Sequence, residues 1–202
     1  MAEISASMVK ELRERTAAGM MECRKALVET NGDMDAAIKY LRERGISKAE
    51  GKAQRATKEG IIFSYIHFNG KLGVMLELNC ESDFVARTDE FRQLAEELAL
   101  QIAATSPLAI SAEGIDPAII EREKEIARNK AINEGKKPEL IDKIVEGNIK
   151  KFCSEHSLLE QELVNEAKRT VKDLLTDAIA KTGENIIVRR FARFQLGEEI
   201  KS

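Results

Sequence analysis

Two runs of strand-forming residues, Ile61 to Phe68 and Lys71 to Cys80, meet at Asn69-Gly70, and this dipeptide constrains the chain more than any other feature. Asn and Gly accept the positive φ that tight hairpin turns require, so the pattern predicts two antiparallel strands. A two-residue loop would set Phe68 opposite Lys71, with every pair of partners summing to 139. Alternation then sorts the side chains. One face holds Ile61, Phe63, Tyr65 and His67 against Leu72, Val74, Leu76 and Leu78, and is nearly all apolar, a core face. The other holds Ile62, Ser64, Ile66 and Phe68 against Lys71, Gly73, Met75 and Glu77. That second face is half apolar, which suits a cover by another layer or a second subunit. His67 ends the apolar face and reads as a satisfied or rim histidine.

Helical periodicity surrounds the hairpin. Residues 1–45 read as a three-helix module with eight basic and eight acidic residues. Ser5 or Ser7 caps the first helix, which carries Met8, Val9 and Leu12. Gly19 breaks the chain after Thr16-Ala17-Ala18. Met20, Cys23, Ala26 and Leu27 form the apolar face of the second helix. Asp33 caps the third, which Gly45 should stop. Residues 46–60 lack a wide apolar face and read as a linker with a helical turn or two, or equally as a solvated helix tail. Residues 61–202 form the sheet-and-helix core. In it, Glu90 to Ala104 is an amphipathic helix ended by Pro107. Asp116-Pro117 opens another, by a cap and Pro at the first helical position. Gly135 and Pro138 separate it from a partner helix through Phe152. Between 116 and 151, 17 of 36 residues are charged, so 116–152 reads as an antiparallel helical hairpin with a narrow apolar seam. Glu139 with Lys143 and Glu146 with Lys150 have the favourable i, i+4 order. Thr170 to Thr182 is a further helix, closed at Gly183, and Asn185 to Leu196 is a third strand. The fold class is therefore α+β.

Composition removes several classes of function. Among 202 residues, 32 basic and 35 acidic side chains leave a net charge of −3, without the basic excess of a nucleic-acid binder. Arg189, Arg190 and Arg193 beside aromatics read as a sheet edge meeting acidic partners. No apolar run is long enough to span a membrane, and the first residues resemble no secretory signal. Cys23, Cys80 and Cys153 are scattered and odd in number, as in a reducing cytoplasm. Phosphate-cradling glycine loops, nucleophile elbows and convincing zinc ligands are absent, so neither cofactor, metal nor enzyme activity is expected. A binding protein is the better reading.

One local feature is unusual. The second strand runs into Asn79-Cys80-Glu81-Ser82-Asp83-Phe84-Val85-Ala86-Arg87, a polar turn holding an aromatic. Ser82 or Asp83 could cap a helix with Phe84 packed beneath it. Alternatively, Phe84 and Asp83 form a wedge for a partner's pocket. Both readings stand on the residues alone.

Here the sequence resembles a known family. LNCESDFVARTDEF is similar to the Thr-Asp-Phe-Val signature region of bacterial elongation factor Ts, with Ser82 in place of Thr. SASMVKELRERTAAGMMECRKALVETNGDMDAAIKYLRERG resembles that family's N-terminal ubiquitin-associated-like module. KPELIDKIVEGNIKKF resembles the second arm of its coiled-coil protrusion, and TGENIIVRRFARFQLGE its closing strand. The likeness covers essentially the whole chain, with room for one sheet subdomain, as in short members paired as homodimers. The resemblance implies guanine-nucleotide exchange on elongation factor Tu in the cytoplasm, with no covalent chemistry. It implies that Asp83 and Phe84 enter the GTPase near its magnesium, with Ser82 and Val85 shaping the turn. It further implies that Arg13, Met20 and Met21 contact the GTPase domain. The rival readings are a helical adaptor, which needs no Asp83-Phe84 wedge, and an RNA-binding protein, whose affinity would fall steeply with salt.

Overall fold

The computed structural model describes residues 4–16 and 18–199; Ala17, in the expected break before Gly19, lies outside them. The elements are α1 (Ala6–Thr16), α2 (Met20–Glu29), α3 (Met34–Glu50), β1 (Glu59–Ile66), β2 (Leu72–Cys80), α4 (Asp83–Ala86) and α5 (Asp89–Thr105). Then come α6 (Pro117–Asn133), α7 (Pro138–His156), β3 (Glu162–Leu163), β4 (Glu166–Thr170), α8 (Val171–Thr182) and β5 (Ile187–Gln195). The antiparallel sheet has the order β1-β2-β5, so β2 is central. The α+β class read from the sequence is the one observed.

The β1–β2 register is the expected one, but the turn is not. His67 N donates to Leu72 O at 2.8 Å, and at the far end Gly60 lies against Leu78 and Asn79. The pairs His67–Leu72 and Gly60–Asn79 both obey the sum of 139. The chain reverses through four residues, Phe68 to Lys71, and Gly70 N donates to His67 O at 2.8 Å. Gly70 has φ +67° while Asn69 keeps a negative φ. A two-residue turn of the expected kind needs positive φ at both positions. Asn69 instead spends its side chain on the turn: its Oδ1 accepts from Lys71 N at 3.0 Å. Four-residue and two-residue loops centred on the same point give the same register, so the face assignment survives. Val74, Leu76 and Leu78 are buried, whereas Ile62, Ile66, Phe68 and Met75 are exposed. His67 is satisfied by the Tyr65 hydroxyl, 2.8 Å from its Nδ1.

The chain divides into two compact units. The first comprises Met1–Ile62, Glu77–Leu94 and Asp173–Arg189. In it, α1 to α3 enclose Val9, Leu12, Cys23, Ala26, Leu27 and Ala37. Ser5 Oγ accepts from Met8 N at 3.2 Å, and Asp33 Oδ1 from Ala36 N at 2.9 Å, so both expected caps form. Gly45 does not stop α3, which continues to Glu50 through part of the expected linker. A lone glycine costs a helix only ~1 kcal/mol, and here the missing side chain serves packing. A Cβ at Gly45 would lie 3.8 Å from Ala180 Cβ and 3.9 Å from Thr176 Cγ2, both on α8. Arg42 also reaches Asp173 of α8 at 2.8 Å. The expected linker ends early too, because Glu59 and Gly60 already belong to β1.

The second unit comprises Phe63–Leu76, Ala95–Lys172 and Arg190–Ser202. Asp116 caps α6 by accepting from Ala118 N at 2.8 Å, with Pro117 at the first turn. Helices α6 and α7 fold back on each other around Ala127, Ala131, Ile141 and Val145, the narrow seam expected. An exposed ion pair, Arg128 to Asp142 at 2.8 Å, crosses between them. The pairs expected along α7, Glu139–Lys143 and Glu146–Lys150, are not formed; solvated pairs of this kind are worth only ~0.3–0.5 kcal/mol. Strands β3 and β4, which the sequence reading did not anticipate, pair antiparallel with a register shift. Buried Gln101 of α5 binds this hairpin, donating to Glu162 O at 3.1 Å and accepting from Val164 N at 3.0 Å. On β5, Arg193 reaches Gln195 at 2.7 Å and Glu198 at 3.9 Å.

Gly60 is where the backbone approach is closest. Its φ is +147°, and a Cβ would stand 2.2 Å from Leu78 O and 2.7 Å from Asn79 Cα. Gly60→Ala should therefore destabilise the protein by ~1–3 kcal/mol, read as a lower urea midpoint. An unchanged midpoint would contradict this account of the β1–β2 contact.

Candidate functional site

The last residue of β2, Cys80, is buried, and the chain leaves the sheet directly into the polar turn. Ser82 has extended backbone and caps the short helix α4, its hydroxyl accepting from Val85 N at 3.4 Å. The serine is thus the cap, as one sequence reading held. Phe84, however, does not pack beneath the helix: it is 81% exposed. Asp83 is half-buried and pairs with Arg87 one turn later, at 2.9 Å. Val85 is half-buried in the same turn. Ser82, Asp83, Phe84 and Val85 are thereby brought together, with the aromatic outermost.

Groups distant in sequence hold this turn. Glu184, just after α8, accepts from Glu81 N at 3.1 Å and Ser82 N at 3.0 Å through Oε2, and from the Ser82 hydroxyl at 2.5 Å through Oε1. Glu81 returns the interaction, its Oε1 accepting from Asn185 N at 2.6 Å. Buried Asn185 donates onward to Arg55 O at 3.0 Å. The sequence reading did not single out Glu81, Glu184 or Asn185. The signal was the polar run after β2 itself, whose amides must find acceptors somewhere.

Burial first, then the Glu184 carboxylate, push the Cys80 thiol up to about 11. Cys80 is therefore a donor, and it meets Ser82 O at 3.1 Å. Because the folded-state value is raised, the thiol's contribution to stability is complete below the ordinary thiol range. It is lost as pH climbs toward about 11.

The second group of expected contact residues lies on α1 and α2. Arg13 is exposed. Met21 is 75% exposed, as its position off the apolar face allows. Met20, assigned to that apolar face, is 56% exposed, which corrects the assignment. It is the first residue of α2 and has no preceding turn to cover it; Cys23, Ala26 and Leu27 are the buried positions. Among the described residues there is no cluster of side chains that could hold a metal ion, and no helix is long and apolar enough to cross a membrane.

The family model described as Elongation factor TS matches residues 3–198. This chain belongs to the elongation factor Ts family. The elongation factor Ts of Oleidesulfovibrio alaskensis is 57% identical over 197 residues, covering 98% of this chain and all of that one. That of Thermoanaerobacter sp. strain X514 is 54% identical over 199 residues, covering 98% of each. That of Fervidobacterium nodosum is 54% identical over 196 residues, covering 97% of this chain and all of the relative. Membership assigns the chain to translation elongation in protein biosynthesis. The resemblance read from the Ser82–Val85 region and the three flanking motifs is the family that the whole-chain comparison identifies.

The environment of Cys80 generates a prediction for this elongation factor Ts family member. At pH 8 a thiol of this kind is ionised to roughly one part in a thousand, and thiolate is the reactive form. Iodoacetamide should label partly exposed Cys153 in the native protein and leave buried Cys80 and Cys23 unlabelled. Rapid native labelling of Cys80, read by peptide mass spectrometry, would contradict the geometry described.

Proposed function

We propose that this chain is a cytoplasmic guanine-nucleotide exchange factor that binds elongation factor Tu and releases its GDP without covalent chemistry. Family membership supports the partner, and the outward Phe84 on a turn fixed at the end of β2 is the observation that carries the mechanism. Phe84 enters the GTPase and pries its elements apart, and Asp83 holds the displaced side chains, so magnesium loses its ligand geometry. Ser82 caps the turn and Val85 shapes it. Arg13, Met20 and Met21 of the 1–45 module dock beside the guanine-binding side.

The energetics follow from linkage. A factor that binds nucleotide-free GTPase better than loaded GTPase must weaken nucleotide affinity by the same ratio. Burying a phenylalanine side chain from water contributes ~1.5–3 kcal/mol, or roughly ten- to a hundredfold in an equilibrium. Phe84 makes that contribution only if it is buried in the nucleotide-free complex and not in the free factor. Excess GTP then sets the direction of exchange.

The exposed sheet face supports a homodimer within this reading. Ile66 and Met75 line a shallow groove with Phe194 and Leu196 of the β5 end, and Ile62 and Phe68 are exposed on the same alternating face of the hairpin. A second copy would cover apolar surface of the kind monomers rarely expose.

Phe84→Ala should leave the melting temperature nearly unchanged, because the ring makes no core contact. It should slow factor-stimulated GDP release at least tenfold, and Asp83→Ala should share the defect with non-additive effects. A well-folded Phe84→Ala protein with full exchange activity would refute the wedge. Separately, equilibrium sedimentation at micromolar concentration should give about twice 22.5 kDa. A monomer across that range would refute the dimer.

A further inference from the structure

The exchange reading gives roles to the turn itself and none to what holds it. The turn begins where the β2 ladder ends, so the amides of Glu81 and Ser82 have lost their strand partners and are not yet helical. Both point at one oxygen of Glu184, at 3.1 and 3.0 Å, while the other oxygen takes the Ser82 hydroxyl at 2.5 Å. One carboxylate thus satisfies three donors on two consecutive residues. Such charge-assisted bonds are about twice as strong as neutral ones. The opposite crossing, from Asn185 N to Glu81 Oε1 at 2.6 Å, closes the link on both strands of chain. Glu184 is itself held in place: Gly183, at φ +79°, turns the chain out of α8, and Glu184 N donates to the Thr182 hydroxyl at 3.3 Å.

We propose that Glu184 is a positioning residue for nucleotide exchange: by clamping the amides of Glu81 and Ser82 it fixes the direction in which Asp83 and Phe84 leave the sheet. The proposal rests on the wedge reading above. In this role Glu184 acts through the turn, by the hydrogen bonds it makes to Glu81 and Ser82. Asp83 has only its local pair with Arg87, and Phe84 is exposed, so neither side chain anchors the turn to the body of the unit. Without the clamp the turn keeps its Ser82 cap but samples several exit directions. Each population that misdirects Phe84 lowers the competent fraction and the exchange rate together.

Glu184→Ala, Glu184→Asp and Glu184→Gln separate this role from simple stability. Ala removes all three acceptors. Asp keeps the charge but falls one methylene short. Gln can keep its oxygen on the two amides and turn its NH2 toward the Ser82 hydroxyl, which also accepts. Two quantities are measured on variants of the 202-residue chain: hydrogen exchange at the Glu81 and Ser82 amides without the GTPase, and the maximal rate of GDP release from elongation factor Tu at saturating factor. Ala and Asp should each lose at least tenfold in amide protection at those two positions and at least fivefold in maximal rate. Gln should recover both to within threefold of wild type. In a Phe84→Ala background, Glu184→Asp should cost nothing further, because there is no wedge left to aim. Folded Glu184→Asp with wild-type protection, or a rate loss that persists undiminished in the Phe84→Ala background, would overturn the proposal. Should Glu184→Ala fail to fold, Asp and Gln carry the same comparison. Full exchange by Phe84→Ala alone would instead defeat the wedge reading, while amide protection would still report whether Glu184 clamps the turn.

Discussion

A slip of one residue between β1 and β2 would turn Val74, Leu76 and Leu78 outward and drive Met75 and Glu77 into the core. The register of this pair is therefore the constraint on which the rest depends. It is pinned twice, at the turn by His67 with Leu72 and at the far end by the close approach of Gly60 to Leu78 and Asn79. The second contact lies immediately before the turn that carries Phe84. A register fixed at Asn79 also fixes where Cys80 ends the strand and where Ser82 begins the cap. The position of Phe84 is thus inherited from hydrogen bonds and packing that have no functional content of their own.

The turn adds a different kind of order. A strand end and a helix start each leave amides unpaired, and here they fall on successive residues. Acceptors supplied from the segment after α8 satisfy them, so the turn is tied to a part of the chain about a hundred residues away. This leaves the exposed Phe84 side chain without a structural duty and Asp83 with only its local pair to Arg87. The proposed exchange role needs such a division of labour. Interaction energy spent holding its own fold together is not available to distinguish nucleotide-free from loaded GTPase.

Much of this was legible in the sequence because it is local or periodic. Asn69-Gly70 with flanking alternation fixed the faces of the hairpin, even though Asn69 kept a negative φ and the loop took four residues. Asp33, Ser5 and Asp116 were readable as caps because capping needs one side chain and an amide three residues away or fewer. Gly45 was misread because a helix-stopping glycine and a helix-packing glycine look the same until α8 lies beside it. Met20 was misassigned because helical periodicity does not register that the first turn has nothing before it. Strands β3 and β4 escaped notice because two and five residues carry too little alternation, and buried Gln101 holds them from a distance. The turn at Ser82 to Val85 was visible as a motif, but its physics left Phe84 free to point either way. Glu184 and Asn185, which hydrogen-bond Glu81 and Ser82 beside it, are separated from it by too much chain for any spacing rule.

Release of labelled GDP from elongation factor Tu, followed with and without this chain, tests the central claim most directly. Release should accelerate with factor concentration to a plateau above the spontaneous rate, with excess unlabelled nucleotide present to prevent rebinding. Binding of the chain to the GTPase with no change in the GDP release rate would contradict it.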